Sequence, residues 1–79
     1  MDMVLDTINE ILHREFPEFD FKSSGDYVSD GLLDSFGIVL LISELEKAFD
    51  IVIDPLDIVP KNFISAGAIK ELAVKTMGK

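Results

Sequence analysis

The chain has 79 residues, 48% of them hydrophobic, with 15 acidic and 7 basic side chains and no cysteine. This length suits a single domain over residues 1–79, and the hydrophobic share argues against wholesale disorder. The lack of cysteine excludes disulfides, thiolate zinc sites and cysteine nucleophiles. The net charge of −8 argues against nucleic acid as a partner, because phosphate binding needs clustered Lys and Arg.

The negative charge is concentrated in the first three quarters of the chain. Residues 1–60 carry a net charge of −11 and residues 61–79 one of +3. An acidic body favours basic partners and also serves simple solubility, and composition alone leaves both explanations open. The sequence has no run of 18 apolar residues, and its first residues lack the basic stretch of a signal peptide. We therefore expect a cytoplasmic protein without stable membrane insertion.

Apolar residues recur at helical spacing in three segments, each bounded by capping or helix-breaking residues. These boundaries are Asp2 and Pro17 for the first helix, Asp34 and Asp50 for the second, and Ser65 and Gly78 for the third. Asp54 and Pro55 open a short fourth helix, which Pro60 closes. No segment is a convincing strand. The predicted fold class is therefore all-α, a four-helix bundle of three main helices and one short helix.

A long loop separates the first two helices. Residues 17–33 contain the Pro, Ser-Ser-Gly and Asp-Gly signals typical of loops, and loops of this length are usually functional. Five apolar side chains are expected to hold the loop against the core: Phe19, Phe21, Val28, Leu32 and Leu33. Residues 26–31 also look like part of a calcium loop, but Val28 and Gly37 stand where oxygen ligands are required. We therefore expect no metal site.

A helical wheel of residues 35–49 separates an apolar arc from an outward face. The arc predicted to face the core comprises Ile38, Leu41, Ile42, Leu45, Ala48 and Phe49. The outward face comprises Phe36, Val39, Leu40, Ser43 and Lys47, with Glu44 and Glu46 beside them. A contiguous apolar cluster with an acidic fringe indicates a docking site, unless the loop 17–33 folds over it.

Two polar residues stand where the second helix begins. Asp34 is placed to cap the helix by accepting a hydrogen bond from the amide of residue 36 or 37. Ser35, at the first helical position, should point outward beside free amides and the positive end of the helix dipole. That setting suits an attached phosphate. On physical grounds alone, however, a simple helix cap is the commoner explanation of such a pair.

Residues 30–36, Asp-Gly-Leu-Leu-Asp-Ser-Phe, and the helix after them resemble the core of acyl carrier proteins. The likeness covers almost the whole chain, and the Asp-Gly-Leu-Leu-Asp-Ser form is particularly similar to D-alanyl carrier proteins and to stand-alone carriers. The resemblance implies a four-helix bundle of acyl-carrier type in which Ser35 carries 4′-phosphopantetheine. Asp34 would be the acidic neighbour that the modifying transferase reads. Gly37 and Leu40 depart from the family, because fatty-acid carriers tend to have acids early in this helix.

The resemblance further implies a non-catalytic carrier of fatty acyl, aminoacyl or polyketide thioesters. Its partners would be a phosphopantetheinyl transferase, a loading ligase for acyl or aminoacyl groups, and downstream acyl-processing enzymes. The resemblance places partner contacts at Phe36, Val39, Ser43, Glu46 and Lys47, to which the wheel adds Leu40 and Glu44. One apolar set would either open to shelter an acyl chain or simply pack closely: Ile38, Ile42, Leu45, Ile53, Ile58, Ile69 and Leu72. We expect a monomer.

Two other functions remain open. An unmodified acidic adaptor would use the same apolar patch to bind a helix or groove on a partner. A small hydrolase would use Ser35 as its nucleophile and His13, the only histidine, as its base. The wheel places Ser35 outside, and no residue is evident that would orient His13. Without a second histidine or a Gly-rich phosphate cradle, a self-contained active site would be hard to assemble.

Overall fold

Three α-helices joined by irregular segments make up the computed structural model, which describes residues 2–78. The helices are α1 (Met3–Glu15), α2 (Ser35–Phe49) and α3 (Ala66–Met77). Helix α1 packs against both other helices, and α3 also packs against the segment that precedes it. No strand occurs within residues 2–78. The prediction of an all-helical fold with three main helices is confirmed.

The short fourth helix predicted after Pro55 is not observed. Its place is taken by two separate 3₁₀ turns, Pro55–Asp57 and Pro60–Phe63. The Asp54 carboxylate accepts a hydrogen bond from the Leu56 N–H at 2.9 Å and so starts the first turn as expected. Pro60 has no N–H to donate to the turn before it, so the winding stops before an α-helical turn can close.

Each α-helix begins at a side-chain cap, as the sequence predicts. Asp2 Oδ1 accepts a hydrogen bond from the Leu5 N–H at 3.0 Å, and Asp34 Oδ1 accepts one from the Gly37 N–H at 2.8 Å. Ser65 Oγ accepts one from the Ala68 N–H at 3.1 Å. Each cap satisfies one of the amides that a helix start leaves without a partner. Helix α2 ends at Asp50, which takes a left-handed backbone with φ of 53° and turns the chain away.

The core lies where the three helices meet. Its largest fully buried side chains come from all three helices and from both connections: Ile8, Leu12, Leu33, Leu41, Leu45, Phe63 and Ile69. One residue of the predicted inward arc of α2, Ala48, is exposed, because it lies beyond Leu45, the last buried residue of the helix.

The long loop between α1 and α2 is fastened to the core along its length. Phe21 and Leu33 are buried, and Phe19, Val28 and Leu32 pack against the core, as the sequence predicts. Tyr27, which the sequence did not single out, is buried as well. Its N–H donates to the Ile64 carbonyl at 2.8 Å, and its own carbonyl accepts from the amides of residues 32 and 33. These bonds fix the chain immediately before α2.

The molecule is small and tightly folded. The Cα radius of gyration is 11.5 Å, against about 11.6 Å expected for a compact domain of this length. None of the helices within residues 2–78 combines the length and the apolar character that crossing a lipid bilayer requires.

Candidate functional site

The start of α2 presents an exposed hydroxyl. Ser35 is the first residue of the helix and its side chain is exposed. The capping bond is made by Asp34, whose carboxylate accepts from the Gly37 N–H. Within the part of the chain that the structure describes, the Ser35 hydroxyl makes no hydrogen bond. It therefore has no structural role there, and it lies beside the positive end of the helix dipole, where an anionic group is stabilised.

The chain before Ser35 explains why Asp34 makes the cap. The Leu33 side chain is buried and its N–H donates to the Tyr27 carbonyl at 3.0 Å, which holds residue 33 against the core. Gly31 supplies the left-handed turn that this path needs, with φ of 79° and open space around its Cα. Asp34 then has extended backbone, from which its carboxylate folds over the first turn of α2.

The outward face of α2 is apolar at its start. Phe36 is 79% exposed and Val39 is 65% exposed, while Ser43 and Lys47 are exposed further along the helix. The wheel predicts these four positions correctly. Leu40 is different: it is half-buried and packs against the core cluster, because it lies on the flank of α2 that faces the end of α1.

The two acidic residues of α2 are also less free than the wheel predicts. The Glu44 carboxylate is half-buried and lies 3.8 Å from the Arg14 guanidinium of α1 and 3.9 Å from the Lys47 ammonium. Glu46 Oε2 accepts a hydrogen bond from the Ile53 N–H at 3.0 Å. Glu46 thus holds the segment after α2 in place. The acidic fringe that the wheel places on α2 therefore consists of two carboxylates that have partners within the fold.

A groove of about 330 Å³ opens beside Asp34, between the end of α1 and the start of α2. Its lining includes the apolar side chains of Phe16, Phe36 and Leu40 and the carboxylates of Glu15, Glu18 and Asp34. This groove was not predicted. Gly37 and Phe16, the residue after α1, lie close together: a Cβ on Gly37 would be in van der Waals contact with the Phe16 ring, at 3.4 Å.

The residues predicted to line an acyl pocket mostly form the core. Five are buried and a sixth packs against them: Ile42, Leu45, Ile53, Ile69, Leu72 and, partly buried, Ile38. Ile58 is 40% exposed, because it ends a 3₁₀ turn rather than continuing an inward-facing helix. None of these seven residues lines the groove beside Asp34, nor a second cavity that opens beside α1.

The other cavity lies between α1 and the loop that follows it. It has a volume of about 520 Å³, and its lining includes Leu12, His13, Phe19 and Phe21. The His13 side chain is exposed along it. Ser35 does not line this cavity, so the two residues required by the hydrolase hypothesis are not brought together there.

The segment that looks like a calcium loop is closed by its own hydrogen bonds. The Asp26 carboxylate accepts from the Ser29 N–H at 2.9 Å and from the Val28 N–H at 3.0 Å. The bond from Ser29 is the main cause of a pKa of Asp26 below its ordinary value. Within residues 2–78, no group of three or more His, Asp or Glu side chains is placed to hold a metal ion.

The start of α2 therefore combines an unengaged hydroxyl, that of Ser35, with a neighbouring groove that Asp34 and Phe36 line and Ser35 does not. Comparison with family models, with curated proteins and with solved structures finds no match for this chain. What the chain does must follow from the chemistry of these residues.

Proposed function

We propose that the chain is a carrier protein of acyl-carrier type. Ser35 would bear 4′-phosphopantetheine, and the carrier would present acyl or aminoacyl thioesters to partner enzymes. The observation that carries the proposal is the exposed Ser35 hydroxyl, which the fold leaves unengaged because Asp34 caps α2. The Gly-Leu-Leu-Asp-Ser motif and its resemblance to acyl carrier proteins support the same assignment.

The surroundings of Ser35 fit a phosphodiester-linked group. The side chain is exposed, so a bulky substituent can be attached without displacing the core. The first turn of α2 holds the hydroxyl at a fixed place, and the dipole of a 15-residue helix stabilises the negative charge of a phosphodiester at its start. When bound, the group supplies a thiol on a flexible arm, to which cargo is joined as a thioester.

In the modification reaction, this chain supplies the nucleophile. Ser35 Oγ attacks the β-phosphorus of coenzyme A, a bond from Oγ to phosphorus forms, and the bond to the bridging oxygen of the diphosphate breaks. Adenosine 3′,5′-bisphosphate leaves, and the hydroxyl proton passes to a base of the transferase. Charge stabilisation by Mg²⁺ belongs to the transferase. The carrier itself is not an enzyme.

The exposed side chains Phe36 and Val39 form the apolar centre of the docking face, and Ser43 and Lys47 form part of its polar surround. The partners are the transferase, a loading ligase and the enzymes that process the cargo, all acting on a monomeric carrier in the cytoplasm. A tether raises the effective concentration of the cargo at each partner's active site, so weak and brief docking is sufficient.

Intact mass spectrometry tests the proposal. The unmodified chain is incubated with coenzyme A, Mg²⁺ and a phosphopantetheinyl transferase of broad specificity. We expect the wild type to gain the mass of one phosphopantetheine group and Ser35→Ala to gain none. Ser29→Ala removes another exposed serine hydroxyl, away from α2, and should be modified as the wild type is. An unmodified wild type, alongside a control carrier that is modified, would refute the proposal.

An unmodified adaptor remains the second candidate, because Phe36 is 79% exposed beside an apolar groove. Such a protein would bind its partner through this patch whatever the state of Ser35. The same mass measurement separates the two functions. Partner binding that is lost in Phe36→Ala, with no modification of the wild type under any condition that modifies the control carrier, would favour the adaptor.

A further inference from the structure

We propose that a partner acting at Ser35 recognises the charge of this chain mainly through carboxylates that lie outside α2. The carboxylates are those of Glu15, the last residue of α1, and of Glu18, in the turn after it; both residues line the groove beside Phe36 and form its acidic rim. The partner chemistry that fits is a basic protein surface that inserts an apolar side chain into this groove. The inference rests on the proposed function and identifies which surface of its partner the carrier meets.

The acids of α2 are poor candidates for this recognition. The Glu44 carboxylate already lies within 4 Å of two cationic groups, those of Arg14 and Lys47. The Glu46 carboxylate is engaged by the backbone amide of Ile53. A charge that is already paired contributes less to the attraction of a partner, and its release to form a new pair has a cost. No acidic residue occupies the first turn of α2.

Glu18 is the contrasting case. It lies in the tight turn closed by the Phe19 N–H donating to the Phe16 carbonyl at 3.2 Å, and its side chain is exposed. It makes no hydrogen bond or ion pair within residues 2–78. Glu15 on the same rim is partly compensated, because its carboxylate lies 3.0 Å from Arg14 Nε. Glu18 is therefore the main free charge on this rim.

The groove between these carboxylates and α2 suits a single large apolar side chain. Its volume of about 330 Å³ is at the lower end of the range for binding pockets, and three of its lining residues are Phe16, Phe36 and Leu40. An apolar anchor within a polar rim is the usual form of the energetic centre of an interface. A basic surface around that anchor complements the acidic rim and speeds the encounter.

Charge-reversal variants test the electrostatic part. We compare kcat/KM for modification of Ser35 by the transferase for Glu18→Lys and for Glu71→Lys, an exposed acid on α3. Both changes alter the net charge equally. At low salt we expect Glu18→Lys to be about fivefold slower than Glu71→Lys, and in about 0.5 M salt the ratio should fall below about twofold, because the charges are screened.

Neutral variants locate the charge more finely. Glu18→Gln, Glu44→Gln and Glu46→Gln each remove one carboxylate and keep its approximate shape. We expect Glu18→Gln to reduce kcat/KM the most. A larger loss for Glu44→Gln or Glu46→Gln, in proteins with unchanged helix content, would place the recognition on α2 and overturn the inference.

Alanine variants test the apolar part. Phe36→Ala is compared with Leu56→Ala, since Leu56 is 85% exposed and lies on the segment after α2. We expect KM for the transferase to rise about tenfold for Phe36→Ala and to stay within about twofold for Leu56→Ala. If Glu18→Lys behaves as Glu71→Lys does and Phe36→Ala as Leu56→Ala does, the docking groove is refuted. Ser35 would still be modified in that case, and the carrier function would stand. A wild type that is never modified would refute both.

Discussion

The starts of α2 and α3 use the same local chemistry and reach different results. At α3, Ser65 is itself the cap, and its hydroxyl oxygen accepts from the Ala68 N–H. At α2, Asp34 is the cap, and the serine stands one residue later with no hydrogen bond within residues 2–78. The Ser65 hydroxyl therefore takes part in the structure of its helix, and the Ser35 hydroxyl does not.

This difference shows why a serine at a helix start is not by itself a functional signal. A cap contributes about 1 kcal/mol, and this accounts for the presence of Ser65. Such a reason is missing for Ser35, which adds no cap and no buried contact. The one-residue offset between Asp34 and Ser35 is therefore what leaves the Ser35 hydroxyl available for modification, and variants at these positions test it.

Exchanging each serine for alanine should give opposite results in two measurements. Ser35→Ala should abolish modification in the intact-mass assay and change the free energy of unfolding by less than about 0.5 kcal/mol, since no structural bond is lost. Ser65→Ala should be modified fully and lose about 1 kcal/mol in urea denaturation, because its cap is removed. A larger stability loss for Ser35→Ala than for Ser65→Ala would show that the Ser35 hydroxyl is structural.

The charge and the capping role of Asp34 can be separated. Asp34→Asn keeps a good capping oxygen, so we expect only a few tenths of a kcal/mol of lost stability, whereas Asp34→Ala should lose about 1 kcal/mol. Both variants lack the carboxylate, so both should be modified about twofold more slowly at low salt, a smaller effect than that of Glu18→Lys, because the Asp34 carboxylate is already engaged by the Gly37 amide. If Asp34→Asn is modified at the wild-type rate, the acid acts only by capping the helix.

The sequence predicts the start of α2 well because the interactions there are local. The hydrogen bond that the Gly37 N–H donates to the Asp34 carboxylate spans three residues. The exposure of Phe36 and Val39 on the outward face of α2 follows from helical periodicity alone. Capping and periodicity depend only on residues that are near one another in the chain, so the sequence alone is sufficient to predict them.

The sequence fails where a position is decided by a distant segment. Leu40 and Glu44 are covered by the end of α1, and Glu46 is engaged by Ile53, seven residues later. The groove is lined by residues from the end of α1, from the loop and from the start of α2. No pattern within α2 contains this information, because crossing positions and loop paths are fixed only when the whole core packs.

The first turns of α2 and α3 also differ in the space that surrounds a glycine. Gly67 of α3 is exposed, and a Cβ there would meet only Ser65 Oγ, at 3.8 Å. Gly67→Ala should therefore raise the free energy of unfolding by about 0.5–1 kcal/mol, through helix propensity. At Gly37 of α2 a Cβ would lie 3.3 Å from Asp34 Oδ1 and 3.4 Å from the Phe16 ring, so the capping carboxylate would have to shift by a few tenths of an ångström.

We therefore expect Gly37→Ala to give no gain in stability in urea denaturation, in contrast to Gly67→Ala. Since Gly37 also lines the groove beside Asp34, the added methyl group should raise the KM of the transferase as well. A gain equal to that of Gly67→Ala would mean that the capping carboxylate and the Phe16 ring accommodate the methyl group without cost.

The smallest expected effect concerns the start of α1, where the cap is also part of an ion pair. Asp2 accepts hydrogen bonds from the Lys70 ammonium and from the Leu5 N–H, and these, the first most strongly, hold the pKa of Asp2 below its ordinary value of 3.8. Because the folded-state pKa is the lower one, the stabilisation is fully present above pH 3.8 and is lost as the pH falls through the folded-state pKa.

Lys70→Ala should therefore be less sensitive to acid than the wild type when urea midpoints are compared at pH 6 and pH 3. Lys61→Ala removes an exposed lysine instead and should retain the wild-type sensitivity. The difference between the two variants isolates Asp2, since the carboxylates of Asp20 and Asp26, whose pKa values are also lowered, are unchanged in both. Equal acid sensitivity of Lys70→Ala and the wild type would mean that the ion pair with Lys70 adds nothing to stability. The Asp2 cap would then act as the uncharged Ser65 cap of α3 does, through its hydrogen bond with a backbone amide alone.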